Sequence, residues 1–411
     1  MNVRTSRQVP QFAPDRRQVY FFFLLGFFAI FSTTISKNPV LPLFSQAIGA
    51  NDAVIGLVAA VSPLAGILFS FPVGVLSDHF GRKRLLVASG IIFLCAPLLY
   101  LLITAPVWLI PVRFFHGMAT AILGPVISAV IAERFPATKG AMLGQYSSAT
   151  LIGRTIAPLI GGIIISYFIM YPGLIPYQMV YIVAAVAAVP VFLMTLLYRE
   201  DQSRSLDVPG FTVFKESFVL FFSNRRLRGT ALVDMATYFS FGAFETFLPV
   251  FLASKGIGAY ETGIIFAVQV LIIALTKPFF GKLADRIDKR YQIAAGILIL
   301  GASVAVIPIM GSFAGYLAVS SIFGLGMSLS TVATSAYTAD IAKKEQIGAS
   351  MGALSSTMDI GHSGGPLVTG IIITSAGYVA GFFASFVLAI LIAIVFALSV
   401  RDTAQKTTFI S

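Results

Sequence analysis

Long apolar runs separated by short polar turns set the plan of this chain. They fall at roughly 20–46, 52–77, 85–105, 107–133, 140–169 and 174–198, and again at roughly 228–253, 260–284, 291–312, 314–340, 347–375 and 377–400. An α-helix of about 20 apolar residues crosses the hydrocarbon core of a bilayer and satisfies its own backbone there. The alternating segments of about ten residues that build a membrane barrel do not occur. The pattern predicts an all-α integral membrane protein with twelve spans and both termini on one side.

The second six runs repeat the first. Leu41-Pro42-Leu43-Phe44 matches Leu248-Pro249-Val250-Phe251 at an offset of 207, as do Gly56 and Gly263, Gly74 and Gly281, Asp78 and Asp285, and Glu133 and Asp340. Gly144, Gly153, Pro158 and Gly162 match Gly352, Gly361, Pro366 and Gly370 at an offset of 208. The repeat predicts two pseudo-symmetric six-helix halves, 1–198 and 228–411, joined by a linker, 199–227. Parallel repeats of this kind hold their site near the bilayer midplane, between the halves. The 211–222 section of the linker is amphipathic enough to lie along a membrane surface.

Composition agrees. The 411 residues are 57% hydrophobic and 11% charged, against about 25% charged in soluble domains. The net charge of +11 does not mark a nucleic-acid binder, because the basic residues sit in alternate turns. Segments 78–84, 133–139, 199–228, 285–290 and 340–345 and the termini hold nearly all of those outside the runs, while the opposite turns contribute only Lys255. That bias predicts cytoplasmic termini in a plasma (inner) membrane. The first 19 residues are basic and lead into a run longer than a signal-peptide core, so no cleavable signal is expected. Cys95 has no partner for an intrachain disulfide. No Gly-rich loop ends in Gly-Lys-Ser/Thr and the three His are dispersed, so neither ATP, a metal nor another cofactor is expected.

Three motifs bear on mechanism. The turn Gly74-Val-Leu-Ser-Asp78-His-Phe-Gly81-Arg82-Lys-Arg84 recurs in degraded form at Gly281–Arg290 and resembles the loop between helices 2 and 3 of the major facilitator superfamily. Gly81 supplies a positive-φ residue, and Arg82 lies within reach of Glu133. The resemblance implies a cytoplasmic latch of Gly74, Asp78, Gly81, Arg82 and Glu133, with Asp285 and Asp340 in the second half. In the fifth run, Gly144, Gly153, Ala157, Pro158, Gly161 and Gly162 resemble the helix 5 motif of the drug:proton antiporters, with Ala157 where that motif has Gly. Small residues at 153, 157 and 161 form an i, i+4, i+8 ridge for close helix contact, which equally suits a plain packing interface. Arg113, in Arg-Phe-Phe-His116-Gly117, resembles the Arg motif of proton-coupled members; the alternative is a snorkelling interfacial arginine.

The other ionisable residues inside runs are Lys37, Arg154, Asp234, Glu245, Lys277, Asp359 and His362. Such groups are costly in lipid and mark pathways or partners. Asp359 and His362, at i and i+3, share a helix face, and a carboxyl in an apolar site binds its proton more tightly than one in water. Asp359 is therefore the first candidate proton carrier, with His362, Arg113 and Glu245 around it; a static pair of Asp359 with Arg154 is the alternative. Asp234 has Arg228 as a candidate partner, and Lys277 reads as snorkelling. Glu245 lies among Tyr238, Phe241 and other aromatics and is the repeat equivalent of Asn38, beside Lys37. Together with Arg154 these predict a cavity for an amphipathic organic molecule; a Phe-rich face toward lipid is the alternative for the aromatics.

The resemblance covers essentially the whole chain. It implies a secondary transporter most like the twelve-helix drug:proton antiporters, a monomer driven by the proton gradient that exports a small amphipathic molecule by alternating access. An uptake symporter or facilitator is the nearest alternative. A membrane-embedded enzyme or a sensor would need a nucleophile, metal or signalling domain that the sequence does not display.

Overall fold

A computed structural model describes residues 16–200, 219, 221–342 and 347–401, without the side chains of 70–72, 74–80 and 349. The linker section expected along the membrane surface lies mostly outside these residues. The first span is α1 (Arg16–Ile35) followed by the short α2 (Val40–Ala47). Spans two to six are α3 (Asp52–Phe80), α4 (Arg82–Tyr100), α5 (Leu109–Arg134), α6 (Lys139–Phe168) and α7 (Ile175–Leu197). The second half has α8 (Arg225–Ser254), α9 (Ala259–Ala284), α10 (Lys289–Val306), α11 (Phe313–Ile341) and α12 (Ile347–Val400). Gly377, at φ 82°, breaks α12 into the eleventh and twelfth spans.

Two local features depart from the apolar pattern. The first span is not continuous over 20–46: Ser36 to Pro39 leave the helix. Pro39 has no N–H to donate, and its repeat equivalent is Thr246, so α8 runs unbroken through the same level. The polar segment expected at 78–84 shrinks to one residue. Gly81, at φ 86°, ends α3 and starts α4, a left-handed conformation that glycine adopts without a Cβ penalty. Its equivalent is Asp288, at φ −63°, which instead caps α10 by accepting the Arg290 N–H at 2.9 Å.

The Arg290 guanidinium, 2.5 Å from Asp288, holds that carboxyl below the usual aspartate range. A depressed folded value means the cap contributes fully above the ordinary pKa of about 3.9. The contribution is lost as pH falls through the folded value. Asp288→Ala is expected to cost about 1 kcal/mol at neutral pH, and thermal unfolding of variant and parent should converge in acid.

In the first half α3 packs on α5, α1 on α6, and α4 on α5 and α7; in the second, α8 packs on α12, α10 on α11 and α12, and α9 on α11. Apolar cores fill each half, around Phe93, Ile127 and Tyr181 in the first and Phe244, Leu300 and Phe323 in the second. Large apolar side chains such as Leu102, Leu275, Phe279 and Phe383 face outward, as a lipid-facing surface requires. The halves meet chiefly through α3 against α12 and α6 against α9.

Candidate functional site

Where the halves meet, mid-span residues of α1, α3, α5, α6, α8, α9 and α12 enclose a cavity of about 350 Å³. Lys37, Asn38, Arg113, Arg154, Tyr238, Phe241, Glu245, Asp359 and His362 all line it. The break after α1 delivers Lys37 and Asn38 to its wall.

Glu245 on α8 is the hub. Lys37 Nζ donates to its Oε2 at 2.6 Å, His362 Nε2 lies 3.1 Å from the same oxygen, and Asn38 Nδ2 donates to Oε1. Asn38 and Glu245, equivalent in the repeat, thus meet across the pseudo-symmetry axis. Lys37 and Glu245 side chains are 21% and 11% exposed, so breaking the pair strands a charge. His362 Nε2 is also 3.2 Å from Lys37 Nζ. Lysine is only a donor, so this nitrogen serves one neighbour at a time: protonated it donates to Glu245, unprotonated it accepts from Lys37.

His362 therefore turns to Glu245, not to Asp359. Among the described residues Asp359 has neither a hydrogen bond nor an ion pair, with Arg154 or any other group. Arg113 is 3% exposed, which excludes snorkelling, and its Nε has no hydrogen-bond partner. Asp234 is buried, and Thr334 Oγ1, not Arg228, donates to it at 3.1 Å. Phe241 lines the cavity, while Phe244 and Phe247 are fully buried in the second-half core. The aromatics of α8 do not face lipid.

Small residues close one end of the cavity. Gly153, Ala157 and Gly161 lay α6 on the first span, where a Cβ at Gly153 would sit 2.8 Å from Phe27 O. Across the halves, a Cβ at Gly162 would sit 2.3 Å from Ala259 O and one at Gly263 2.5 Å from Pro158 O. The repeat-equivalent contacts are Gly370 on Asp52 O (2.5 Å) and Gly56 on Pro366 O (2.2 Å). Matching hydroxyls cap the helix starts there: Ser166 Oγ accepts the Tyr260 N–H at 3.1 Å and Thr374 Oγ1 the Ala53 N–H at 2.9 Å. These first-turn amides have no partner within their own helices. Toward the basic end, a Cβ at Gly144 or its equivalent Gly352 would meet nothing within 4 Å among the described residues. Among the described residues Gly144 therefore packs against nothing.

The turn motif lies at the other end of α3 from Gly56. Arg82 pairs with Glu133, both nearly buried, through its terminal nitrogen and through Nε at 3.4 Å. Their equivalents Lys289 and Asp340 pair at 2.9 Å, with Asp340 58% exposed, a surface bridge worth little. Glu200 accepts the Arg82 N–H at 2.5 Å at the start of α4, where the helix dipole favours a carboxylate. Asp285 forms no ion pair among the described residues, and the side chains at Gly74 and Asp78 lie outside them.

Several contributors escape sequence reading. Gln269, a polar interruption in the eighth run, lines the cavity with its Nε2 unpartnered; an amide in mid-span was its signal. Ser166 and Thr374 are ordinary hydroxyls, recognisable only as a repeat-related pair.

A membrane bundle of two repeat-related halves around one polar, aromatic-sided cavity defines the class of helical solute transporters. The model described as Major Facilitator Superfamily matches residues 22–320 and 230–410, and the chain belongs to that superfamily. It is a multi-pass membrane transporter for a small molecule, not an enzyme. It is 26% identical over 327 residues to an uncharacterised MFS-type transporter of Methanocaldococcus jannaschii, covering 79% of this chain and 83% of that one. It is 24% identical to multidrug resistance protein 2 of Bacillus subtilis, covering 87% and 89% of the two chains. A bacterial homologue of the human lysosomal transporter Spinster, solved inward-facing and unoccupied, superposes with a TM-score of 0.78 at 17% identity, covering 96% of this chain and 99% of that one.

Proposed function

We propose that this protein is a monomeric secondary transporter that exports a small amphipathic organic molecule, driven by inward proton flow. The observation that carries the reading is the central cluster. Glu245 of the second half is tied to Lys37 and Asn38 of the first, and His362 changes partner with its own proton. A proton on Glu245 removes the charge that Lys37 follows and loosens the halves at the midplane. Asp359 faces the same cavity without a protein cation to compete for its carboxylate, which suits a proton carrier. With both termini cytoplasmic by the positive-inside rule, the end closed by the glycine contacts faces away from the cytoplasm. The two halves, 1–198 and 228–411, then rock about the cavity while 199–227 tethers them, and the Arg82–Glu133 turn belongs to the latch of the opposite state. Relatives named as multidrug resistance proteins support export.

Everted vesicles test this directly. Substrate addition should release protons from vesicles holding a pH gradient. Asp359→Asn is expected to lower gradient-driven accumulation at least tenfold, about 1.4 kcal/mol or more of lost coupling, while substrate exchange continues. Full gradient-driven transport by the variant would remove Asp359 as the carrier. The alternative of uptake has one observation behind it, the three cations Lys37, Arg113 and Arg154 in the cavity wall. Proton uptake with substrate in the same assay would select it.

A further inference from the structure

Two buried donors of the cavity wall, Arg113 Nε and Gln269 Nε2, have no partner among the described residues. Asp359, the carboxyl in the same wall that is also unpartnered there, is the proton site of the proposed function and carries no charge once protonated. The wall carries three fixed cations, Lys37, Arg113 and Arg154, against two carboxyls, Glu245 and Asp359. Glu245 is already engaged by Lys37, Asn38 and His362 and has little left to offer a guest. Arg113 and Arg154 form no ion pair among the described residues. Arg113 is 3% exposed and Gln269 1% exposed; Arg113 Nε and Gln269 Nε2, both donors, are buried without a partner. Arginine keeps its charge in any protein setting, and a buried charge or N–H without a partner is costly. A guest that brings an acceptor with negative charge relieves both.

We propose that the occupant of this cavity is a small amphipathic organic anion. Its carboxylate or sulfonate is held by Arg113 and Gln269, with Arg154 adding positive field, and its apolar body lies against Tyr238, Phe241 and Phe266. The proposal rests on the cavity being the transport site. Guanidinium and carboxylate match in a two-pronged geometry, so Arg113 selects for charge as well as shape. A volume of about 350 Å³ is at the low end for drug-sized ligands, which favours a soluble small molecule over a two-chain lipid.

The test uses purified full-length protein in phosphatidylcholine nanodiscs and a panel of aryl carboxylates and sulfonates, each with its ester and its ammonium analogue. At least one anion should bind at least tenfold tighter than its ester and its ammonium counterpart. Arg113→Gln should erase that preference, bringing the anion to within about twofold of its ester. Gln269→Leu, which alters no charge, should weaken the anion several-fold and serves if the arginine variant does not fold. Ammonium compounds binding as tightly as the anions, no saturable binding by any anion, or an undiminished preference in both variants would overturn the proposal. Abolition of the preference by phosphatidylglycerol in the nanodisc would reassign the site to a lipid headgroup and overturn it as well. Counterflow in proteoliposomes separates the two readings. An anion that binds through Arg113 without counterflow leaves the site standing and removes the transport role, whereas counterflow of ammonium compounds alone keeps the transporter and overturns the anion.

Discussion

Glu245→Gln is expected to be the most damaging single change at the cavity. The substitution keeps the volume of the side chain but leaves the Lys37 ammonium in a mostly buried position without its counter-ion. Removing one partner of a buried pair costs about 3–5 kcal/mol, and partial access of Lys37 to the cavity puts this case near the lower figure. Thermal unfolding in detergent should shift down by several degrees and gradient-driven transport should be lost. The companion experiment is Lys37→Met with Glu245→Leu. With both charges gone the desolvation cost goes too, so stability should recover to within about 1 kcal/mol of the parent, while transport stays absent. If Glu245→Gln unfolded at the temperature of the parent, the pair would not be holding the halves together at the midplane.

Gly56→Leu is expected to displace the conformational equilibrium. A Cβ there would lie 2.2 Å from Pro366 O and 3.0 Å from its carbonyl carbon. Both are backbone atoms of the facing half, so the relief available is separation at the closed end. Overpacking of this kind costs about 1–3 kcal/mol, roughly a fivefold to 150-fold shift toward a state open there. The interior of each half is untouched, so the protein should fold. Thr374→Cys in a Cys95→Ser background should then react faster with a membrane-impermeant thiol reagent. Gly144→Leu gives the opposite sign: its Cβ direction meets none of the described residues, so on the rocking proposal it hinders closure of the basic end and slows that labelling. Unchanged labelling in Gly56→Leu would mean that the Gly56–Pro366 contact does not set the equilibrium.

Much of the candidate site was legible because ionisable residues are conspicuous in apolar runs. Lys37, Arg113, Arg154, Glu245, Asp359 and His362 stood out on cost alone, and all line one cavity. Their pairing was not legible. Asp359 and His362 share a helix face by spacing, yet His362 turns to a carboxylate on another helix. The break at Ser36–Pro39 does not follow from the apolar pattern, because the run stays apolar on both sides of it and Pro42 in the same run lies within α2.

The sequence by itself determined the number of spans, the repeat and the family. Run length, charge bias and fixed-offset glycines are properties of one dimension, and lipid forces each apolar run into a helix whatever its neighbours do. Only the tertiary structure decided which charges neutralise one another, which end is closed and which donors remain unused. Those depend on the rotation and depth at which helices of different halves face each other, and residues as far apart as Lys37, Glu245 and His362 carry no local trace of it. The contact of Asn38 with Glu245 shows both levels at once: the repeat made them equivalent, and the axis between the halves brought them together.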